Sequence, residues 1–325
     1  MFTTFASQSE AARLFGEWEV VESVSDEVVV DGLSIRRAAL TARHLAGGAV
    51  TGSAASAAGD PTSRAWGELI ERASLVSAHR RGAPVRVAGD PLKLLTFESA
   101  FPDADLGDGR RRALSNGVAL AADFDSAAER AWSELVERDA LLRSWRGETK
   151  PEPLDVPTRL LPATRSYEWV ARSIASPLDG PSSPRVVAVF GLPLHDRAPL
   201  LRGYAARETE SEALAAALTE AIQGLAFLWD EPIPDCAPTP EPNPMFHLDH
   251  YLWPGSHRAL RAWLSGSRGG GAPSTVPIAP TFVDLTPEPL RGRVAVVKAV
   301  AHGHVELAFG VGGEGCRGVS PHPIA

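Results

Sequence analysis

Two segments of this chain repeat nearly the same nine residues, and each carries two glutamates three positions apart with an arginine directly after the second. The first is RAWGELIER at residues 64–72, and the second is RAWSELVER at residues 130–138. In a helix, residues three positions apart lie on one face, one turn above each other. If such helices pack together, their carboxylates repel each other strongly unless cations lie between them. Oxygen donors of this kind suit Mg²⁺, which keeps water and substrate phosphate among its ligands.

A weaker third copy, AALTEAIQ at residues 216–223, keeps the central glutamate and has Gln223 in place of the second one. The carboxylates that the three copies would contribute are Glu68, Glu71, Glu134, Glu137 and Glu220. For a single copy, exposed glutamates paired with arginines on a solvated helix face would be the simpler interpretation. Two near-identical copies and a partial third favour a pseudo-symmetric metal site.

Short β-branched runs alternate with longer segments rich in Ala, Leu, Glu and Arg, and this alternation predicts the elements that position the repeats. Helices are predicted at residues 36–45, 62–80, 126–145, 167–175, 211–228 and 256–264. Strands are predicted at residues 27–30, 85–88, 185–190, 281–285 and 293–301. Ser126 with Glu129, and Thr209 with Glu212, have the spacing of capping boxes at two of the helix starts. The mixture predicts an α/β or α+β body.

The composition narrows the class of protein. The 325 residues include 32 Lys+Arg against 40 Asp+Glu, a formal net charge of −8, which argues against a nucleic-acid partner. Only Lys93, Lys150 and Lys298 are lysines, so nearly all the positive charge is arginine. The chain has two cysteines outside any CxxC pattern, shows no signal peptide and has no apolar run near the ~20 residues of a membrane span. We therefore expect a cytoplasmic protein that does not bind a membrane.

Several motifs together resemble the YcaO family, whose ATP-dependent enzymes modify backbone amides of peptides. SNGVALA at residues 115–121, followed by residues 131–139, resembles the family's Asn-Gly-x-Ala strand and its Glu-x-x-Glu-Arg-Asp helix. ALTEAIQ at residues 217–223 resembles its Ala-Leu-Thr-Glu-x-x-Gln helix, and residues 282–286 with 293–300 resemble its C-terminal half. The ending SPHPIA at residues 320–325 is similar to the proline-rich tail of the cyclodehydratase branch. The resemblance covers roughly residues 50–325.

The resemblance implies an α+β fold in which pseudo-symmetric helices pack on mixed or antiparallel β-sheets. It implies a divergent segment at residues 1–50 and one ATP-binding catalytic domain at residues 51–325. ATP and Mg²⁺ are the implied cofactors, and the five glutamates of the repeats are the implied metal ligands. The other implied site residues are Arg72, Arg138, Asn116 and Gln223 at the nucleotide, and Arg138, Pro321 and Pro323 in catalysis.

The implied reaction is activation of an amide oxygen by phosphorylation in a ribosomally made precursor peptide, giving an azoline ring, the precursor of thiazole and oxazole. Thioamide or amidine formation by a YcaO enzyme is an alternative. No separate peptide-recognition domain is visible ahead of the resemblance, so we expect an E1-like or ThiF-like partner protein to bind the leader. The resemblance also leaves open that the protein forms a homodimer.

Departures from the family pattern support a second hypothesis, a catalytically weakened scaffold subunit of a peptide-modifying complex. The family's third helix carries an arginine four residues before its glutamate, where this chain has Ala216. Arg202 and Arg207 are nearby candidates to replace it. A glycine- and lysine-containing turn before the first helix is replaced by TGSAA at residues 51–55.

Two further features each allow two interpretations. HLDH at residues 247–250 has histidines at helical spacing, which fits either a small metal cluster or, more simply, a histidine in the core. The tail at residues 320–325 is either a disordered end or a segment held extended by its prolines near the active site.

Overall fold

The computed structural model describes residues 13–83, 85–87, 93–161, 164–176, 183–267, 280–312 and 320–324. The α-helices are α1 (Thr62–Arg81), α2 (Phe97–Ala100), α3 (Phe124–Trp145), α4 (Glu210–Leu228), α5 (Pro244–Leu252) and α6 (His257–Leu264). The strands are β1 (Arg13–Leu14), β2 (Trp18–Val30), β3 (Leu33–His44), β4 (Ala49–Ser56), β5 (Val85–Arg86), β6 (Leu94–Leu95), β7 (Arg111–Arg112), β8 (Val118–Ala121), β9 (Glu152–Leu154), β10 (Tyr167–Ile174), β11 (Arg185–Pro193), β12 (Leu201–Arg207), β13 (Pro280–Asp284), β14 (Ala295–Ala301) and β15 (Ala308–Phe309). Within these ranges no helix is long and apolar enough to cross a membrane.

The chain folds into two compact units. The first unit is Met1–Pro102, Gly117–Trp132 and Pro280–Val300, and the second is Asp103–Asn116, Ser133–Ala279 and Ala301–Ala325. Helices pack on antiparallel sheets in both units, which confirms the predicted α+β class.

In the first unit, β1 to β4 form an antiparallel sheet in chain order, and α1 packs on β4 and β3. The apolar stripe of α1 is fully buried at Leu69 and Ile70. Gly52 of β4 lets the helix backbone approach closely, because a Cβ at this position would lie 2.3 Å from the backbone nitrogen of Leu69. A second sheet, in the order β13-β14-β8, and the two-stranded sheet β5-β6 also belong to this unit.

The second unit repeats this construction. Its sheet has the order β12-β11-β10-β9, and α4 packs on β12 and β11. Val186 to Phe190 of β11 are all inaccessible to solvent, so this strand forms the centre of the core. Gly203 of β12 has the role of Gly52, because a Cβ there would lie 2.0 Å from the carbonyl oxygen of Ala217.

Two predicted helices are strands, and the sequence predictions at those places are wrong. Residues 36–45 lie mainly in β3, where buried Ala38, Leu40 and Ala42 alternate with less buried neighbours and the strand pairs with β2 and β4. Alanine favours a helix in isolation, but pairing on both edges overrides that preference. Residues 167–175 lie mainly in β10, which pairs with β9 and β11.

The helices that carry the repeats begin and end within two residues of their predicted bounds. The capping box of Thr209 and Glu212 is confirmed at the start of α4. The box predicted for Ser126 and Glu129 is wrong, because α3 begins at Phe124 and the side chain of Asp123 accepts the Ser126 N–H at 2.8 Å.

Candidate active site

The first repeat of the motif lies on α1 and is held against β4 within the first unit. The Glu68 carboxylate accepts the backbone N–H of Ser53 at 2.6 Å and pairs with Arg72 at 2.5 Å. Arg72 also donates to the Thr51 carbonyl oxygen at 2.7 Å. One turn further, Glu71 accepts the N–H of Leu120 in β8 at 3.0 Å. Backbone N–H groups of two different sheets therefore fix the two carboxylates of this repeat.

The second repeat lies on α3 and has the same internal geometry. Glu134 pairs with Arg138 at 2.5 Å, and Arg138 donates to the Ser115 carbonyl oxygen at 3.1 Å. Arg138 also reaches the side-chain oxygen of Asn116, which is buried, at 3.5 Å. The structure therefore brings together two of the residues predicted to contact the nucleotide, Asn116 and Arg138.

The third copy lies on α4 and matches the first in its backbone contact. Glu220 accepts the N–H of Tyr204 in β12 at 2.8 Å, as Glu68 accepts that of Ser53 in β4. In both cases the donor directly follows the glycine at which helix and strand approach closely. Gln223 lies one turn after Glu220 and is half-buried.

Three carboxylates of the second unit, from Glu134, Glu137 and Glu220, influence one another electrostatically. Loss of hydration and the charge of Glu220 raise the pKa of Glu137 to about 8. Loss of hydration also raises the pKa of Glu220 to about 7, although the N–H of Tyr204 and the charge of Arg138 act in the opposite direction. The Glu220 side chain is accessible to water, yet enough protein surrounds it to weaken its hydration.

These raised pKa values mark a place where a cation would be stabilising. Carboxylates that repel each other and have lost water bind a proton or a positive ion to lower their energy. The donors are all oxygens, the set that Mg²⁺ prefers. The residues present therefore fit the predicted metal. No three His, Cys, Asp or Glu side chains among the described residues form a complete ligand cluster by themselves. Glu68 and Glu71 belong to the first unit and the other three to the second.

The tail is docked in the second unit over residues 320–324. Tyr251 donates its hydroxyl to the Pro321 carbonyl oxygen at 2.6 Å, and Tyr204 donates its own to that of Pro323 at 2.9 Å. Ile324 is buried. The interpretation as a disordered end is therefore wrong for these residues. Tyr204 connects the tail to the glutamate of α4, since its N–H binds Glu220.

The histidine pair at residues 247–250 does not form a metal cluster. His247 is fully buried, and its Nδ1 donates to the His322 carbonyl oxygen at 3.0 Å while its Nε2 accepts the Gly310 N–H at 3.0 Å. Burial lowers the pKa of His247 to about 4, which keeps the ring neutral. The interpretation as a core histidine is confirmed, with the added role of binding the tail.

Sequence reasoning missed two residues of this region, Tyr204 and Tyr251. Neither lies in a repeated motif, and Tyr204 acts partly through its backbone, which leaves no signal in residue type. The chain has only three tyrosines, and two of them bind the tail.

Comparison with solved structures places this fold among known ones. The structure of YcaO from Methanopyrus kandleri, bound with AMPPCP and Mg²⁺, has a TM-score of 0.55 at 18% identity, covering 88% of this chain and 86% of that one. A heterocyclase in complex with substrate and cofactor gives 0.56 at 15% identity, covering 88% of this chain and 50% of that one. A chain of the E. coli microcin synthetase McbBCD complex gives 0.52 at 13% identity, covering 86% and 87%.

Sequence comparison gives the family. Curated protein sequences give no match. A sequence profile described as YcaO cyclodehydratase, ATP- and Mg²⁺-binding, matches residues 8–303, which is most of the chain. This description confirms the two predicted cofactors, ATP and Mg²⁺. The chain belongs to the YcaO family of ATP- and Mg²⁺-binding cyclodehydratases.

Proposed function

We propose that this protein uses ATP and Mg²⁺ to activate backbone amides in a ribosomally made precursor peptide and closes azoline rings in it. The observation that carries the proposal is the group of Glu134, Glu137 and Glu220 beside Arg138, in which two carboxyl pKa values are raised and a cation would lower the energy. Glu68 and Glu71 are assigned to the same metal function because they occupy the equivalent positions of the repeat.

When bound, ATP supplies the phosphoryl group that turns the amide oxygen into a leaving group, and Mg²⁺ neutralises the phosphate charge. The residues of the chain bind and orient. Arg72 and Arg138 carry planar, permanently charged guanidinium groups that suit phosphate oxygens, and each is already fixed by a glutamate and a backbone carbonyl. Preorganised charge of this kind is the main contribution that proteins make to phosphoryl transfer.

The tail supports azoline formation as the outcome. Pro321 and Pro323 lie in an ordered, docked segment, and Tyr204 joins that segment to Glu220. We assign the tail to positioning of the peptide near the carboxylates. A thioamide or an amidine is the alternative product of the same activation.

We also propose that the substrate reaches this protein through a leader-binding, E1-like partner. The microcin synthetase among the structural neighbours is a complex of several proteins. A cytoplasmic location is part of the proposal, because ribosomal peptides and ATP are both available there. A homodimer is a further proposal that a measurement of mass in solution would test.

The test is Mg²⁺-dependent ATP hydrolysis by the purified protein, with and without precursor peptide and partner. Mass spectrometry of the peptide separates a thioamide, in which sulfur replaces oxygen, from a product that has lost one water. Fragmentation that places the lost water at a Cys, Ser or Thr residue then distinguishes an azoline from an amidine. Glu134→Gln is expected to abolish turnover. Turnover that persists in this variant would contradict the metal assignment.

The scaffold hypothesis rests on a specific observation, the absence of arginines from α4 at the two positions where α1 and α3 have them. Ala216 and Gly224 stand there. A scaffold would bind the partner and peptide but hydrolyse no ATP under any combination of components. Hydrolysis stimulated by peptide would contradict it.

A further inference from the structure

Each complete repeat surrounds its first glutamate with two arginines, one four residues before it and one four residues after it. In α1 these are Arg64 and Arg72, around Glu68. Both donate to carbonyl oxygens of β4, Arg64 to that of Ala55 and Arg72 to that of Thr51. One strand therefore binds both arginines of the repeat through its carbonyl oxygens.

Helix α3 repeats the arrangement around Glu134. Arg130 donates to the Leu120 carbonyl oxygen at 3.4 Å, and Arg138 donates to that of Ser115 at 3.1 Å. In α4 neither position has an arginine. Ala216 lies four residues before Glu220, and Gly224 lies four residues after it. To balance the charge of Glu220 in the same way, a positive side chain must come from another helix or strand.

The strand register shows where such a cation would be expected. In β4, the N–H that binds the glutamate belongs to Ser53, and the carbonyl that binds the first arginine belongs to Ala55, two residues later. In β12, the N–H belongs to Tyr204, so the equivalent carbonyl is that of Ala206. Arg207 donates to this carbonyl at 2.7 Å. A guanidinium therefore binds the equivalent oxygen, although it comes from the strand.

The other nearby arginine, Arg202, also acts on this region, since its charge lowers the pKa of Glu220. The guanidinium of Arg202 lies 5.5 Å from the centre of the Tyr251 ring, in a cation–π contact beside the docked tail. Arg207 is exposed, and it lies four residues after Gly203 in β12, on the face of the strand that approaches α4. A guanidinium with several N–H donors can bind a carbonyl and an anion at the same time.

We propose that Arg207 supplies, from the end of β12, the phosphate-binding positive charge that α4 lacks at Ala216. This inference rests on the proposed function, since the anion is the polyphosphate of the Mg²⁺-bound nucleotide. It selects one of the two arginines that the sequence left open. It also explains how the third copy can work without the helix arginine.

The experiment measures binding of AMPPCP with Mg²⁺ by calorimetry, with AMP as the probe that lacks the β- and γ-phosphates. Arg207→Ala is expected to weaken AMPPCP binding by about 10-fold or more, the size of a lost charge-assisted hydrogen bond, and to leave AMP binding nearly unchanged. Arg185→Ala is the matched control, because Arg185 is an exposed arginine directly opposite Arg207 on β11.

A rescue variant separates a lost phosphate contact from a local change of structure. Adding Ala216→Arg to the Arg207→Ala protein returns the charge from the helix and is expected to restore most of the AMPPCP affinity. Equal AMPPCP binding in wild type and Arg207→Ala, equal losses in Arg207→Ala and Arg185→Ala, or no rescue would each overturn the inference. If the wild-type protein bound no AMPPCP with Mg²⁺, the proposed function itself would fail, so the two failures are distinguishable.

Discussion

At the scale of residues, the carboxylates of the proposed cation site differ from those of a stabilising ion pair. Glu68 and Glu134 each have an arginine at 2.5 Å, whereas Glu137 and Glu220 keep raised pKa values in spite of nearby arginines. The protein therefore tolerates charges that repel each other, as is common where function rather than stability decides a residue.

Above about pH 8, where Glu137 is ionised, replacing it with Gln should stabilise the metal-free protein, because the change removes one charge from the group. We expect a rise in melting temperature of about 2 °C without Mg²⁺, together with loss of the additional stabilisation that Mg²⁺ gives the wild type. Glu129→Gln, at an exposed position of α3 outside the repeat, is the control and should change neither quantity. A destabilised Glu137→Gln protein that still responds to Mg²⁺ would contradict the assignment.

The raised pKa values of Glu137 and Glu220 also determine the effect of pH. In the folded protein these groups hold protons that the unfolded chain releases near its ordinary pKa of 4.5. The metal-free protein should therefore lose stability as the pH rises from about 5 to about 8, while Mg²⁺ binding tightens over the same range because the metal requires ionised carboxylates. Thermal melts across this pH range, with and without Mg²⁺, measure both trends. Parallel curves would show that the two carboxyl groups do not bind the metal.

At the scale of elements, the close contact of a helix with a glycine of the neighbouring strand recurs in both units. Gly203→Ala should cost about 2–4 kcal/mol of unfolding free energy, because the new methyl group would overlap the backbone of α4. Gly67→Ala is the control, since Gly67 lies in α1 with no atom within 4 Å of the added Cβ. This change should stabilise by about 1 kcal/mol through helix propensity. Urea unfolding measures the change in unfolding free energy for both variants. Equal changes would contradict the close approach of α4 to Gly203.

The tail is the second element that can be tested directly. Tyr204→Phe and Tyr251→Phe each remove one hydroxyl that binds a carbonyl of the tail, at a cost of about 1 kcal/mol each. Exchange of the amide hydrogen of Ile324 should become faster in both variants, and their combination should lower turnover on peptide more than turnover of ATP alone. Unchanged exchange would mean that other contacts hold the tail.

Sequence patterns predicted some helices and strands correctly and others wrongly. The repeats and their helices were predictable because a short motif occurs twice almost unchanged and once in part, each time in a segment rich in helix-forming residues. β3 and β10 were not, because alanine-rich strands look helical until their pairing partners are known. The equivalence of the Ala206 carbonyl to that of Ala55 could not be predicted either, since it depends on how β12 and β4 are aligned with their helices.

At the scale of the whole molecule, positive charge is almost entirely arginine, and this has a consequence for chemistry in solution. Lys93 and Lys150 are exposed, and Lys298 is buried. Acetylation of lysines should therefore leave nucleotide binding unchanged, whereas phenylglyoxal, which modifies arginine, should abolish it. Prior binding of AMPPCP with Mg²⁺ should protect the protein from phenylglyoxal. Loss of nucleotide binding after acetylation would contradict the prediction that arginines, and not lysines, bind the nucleotide.

The two units are each assembled from separated stretches of chain, so local sequence patterns contain no sign of their limits. The predicted boundary at residue 50 stays a prediction, and residue 50 itself lies within β4. The repeat, by contrast, was visible in the sequence. It reflects a construction that both units share: a helix packs closely against a glycine of a strand, and one backbone N–H of that strand binds a glutamate of the helix.

Tyr204 uses both of its polar ends, the backbone N–H for Glu220 and the hydroxyl for the tail. If metal binding or docking of the tail changes the position of Tyr204, the two binding events are thermodynamically linked. Linkage is reciprocal, so a metal that tightens the tail by some factor must itself bind more tightly by that same factor when the tail is docked. The tail would then report on occupancy of the carboxylates, and the two factors, measured separately by tail exchange and by Mg²⁺ titration of a tail-deleted protein, should be equal.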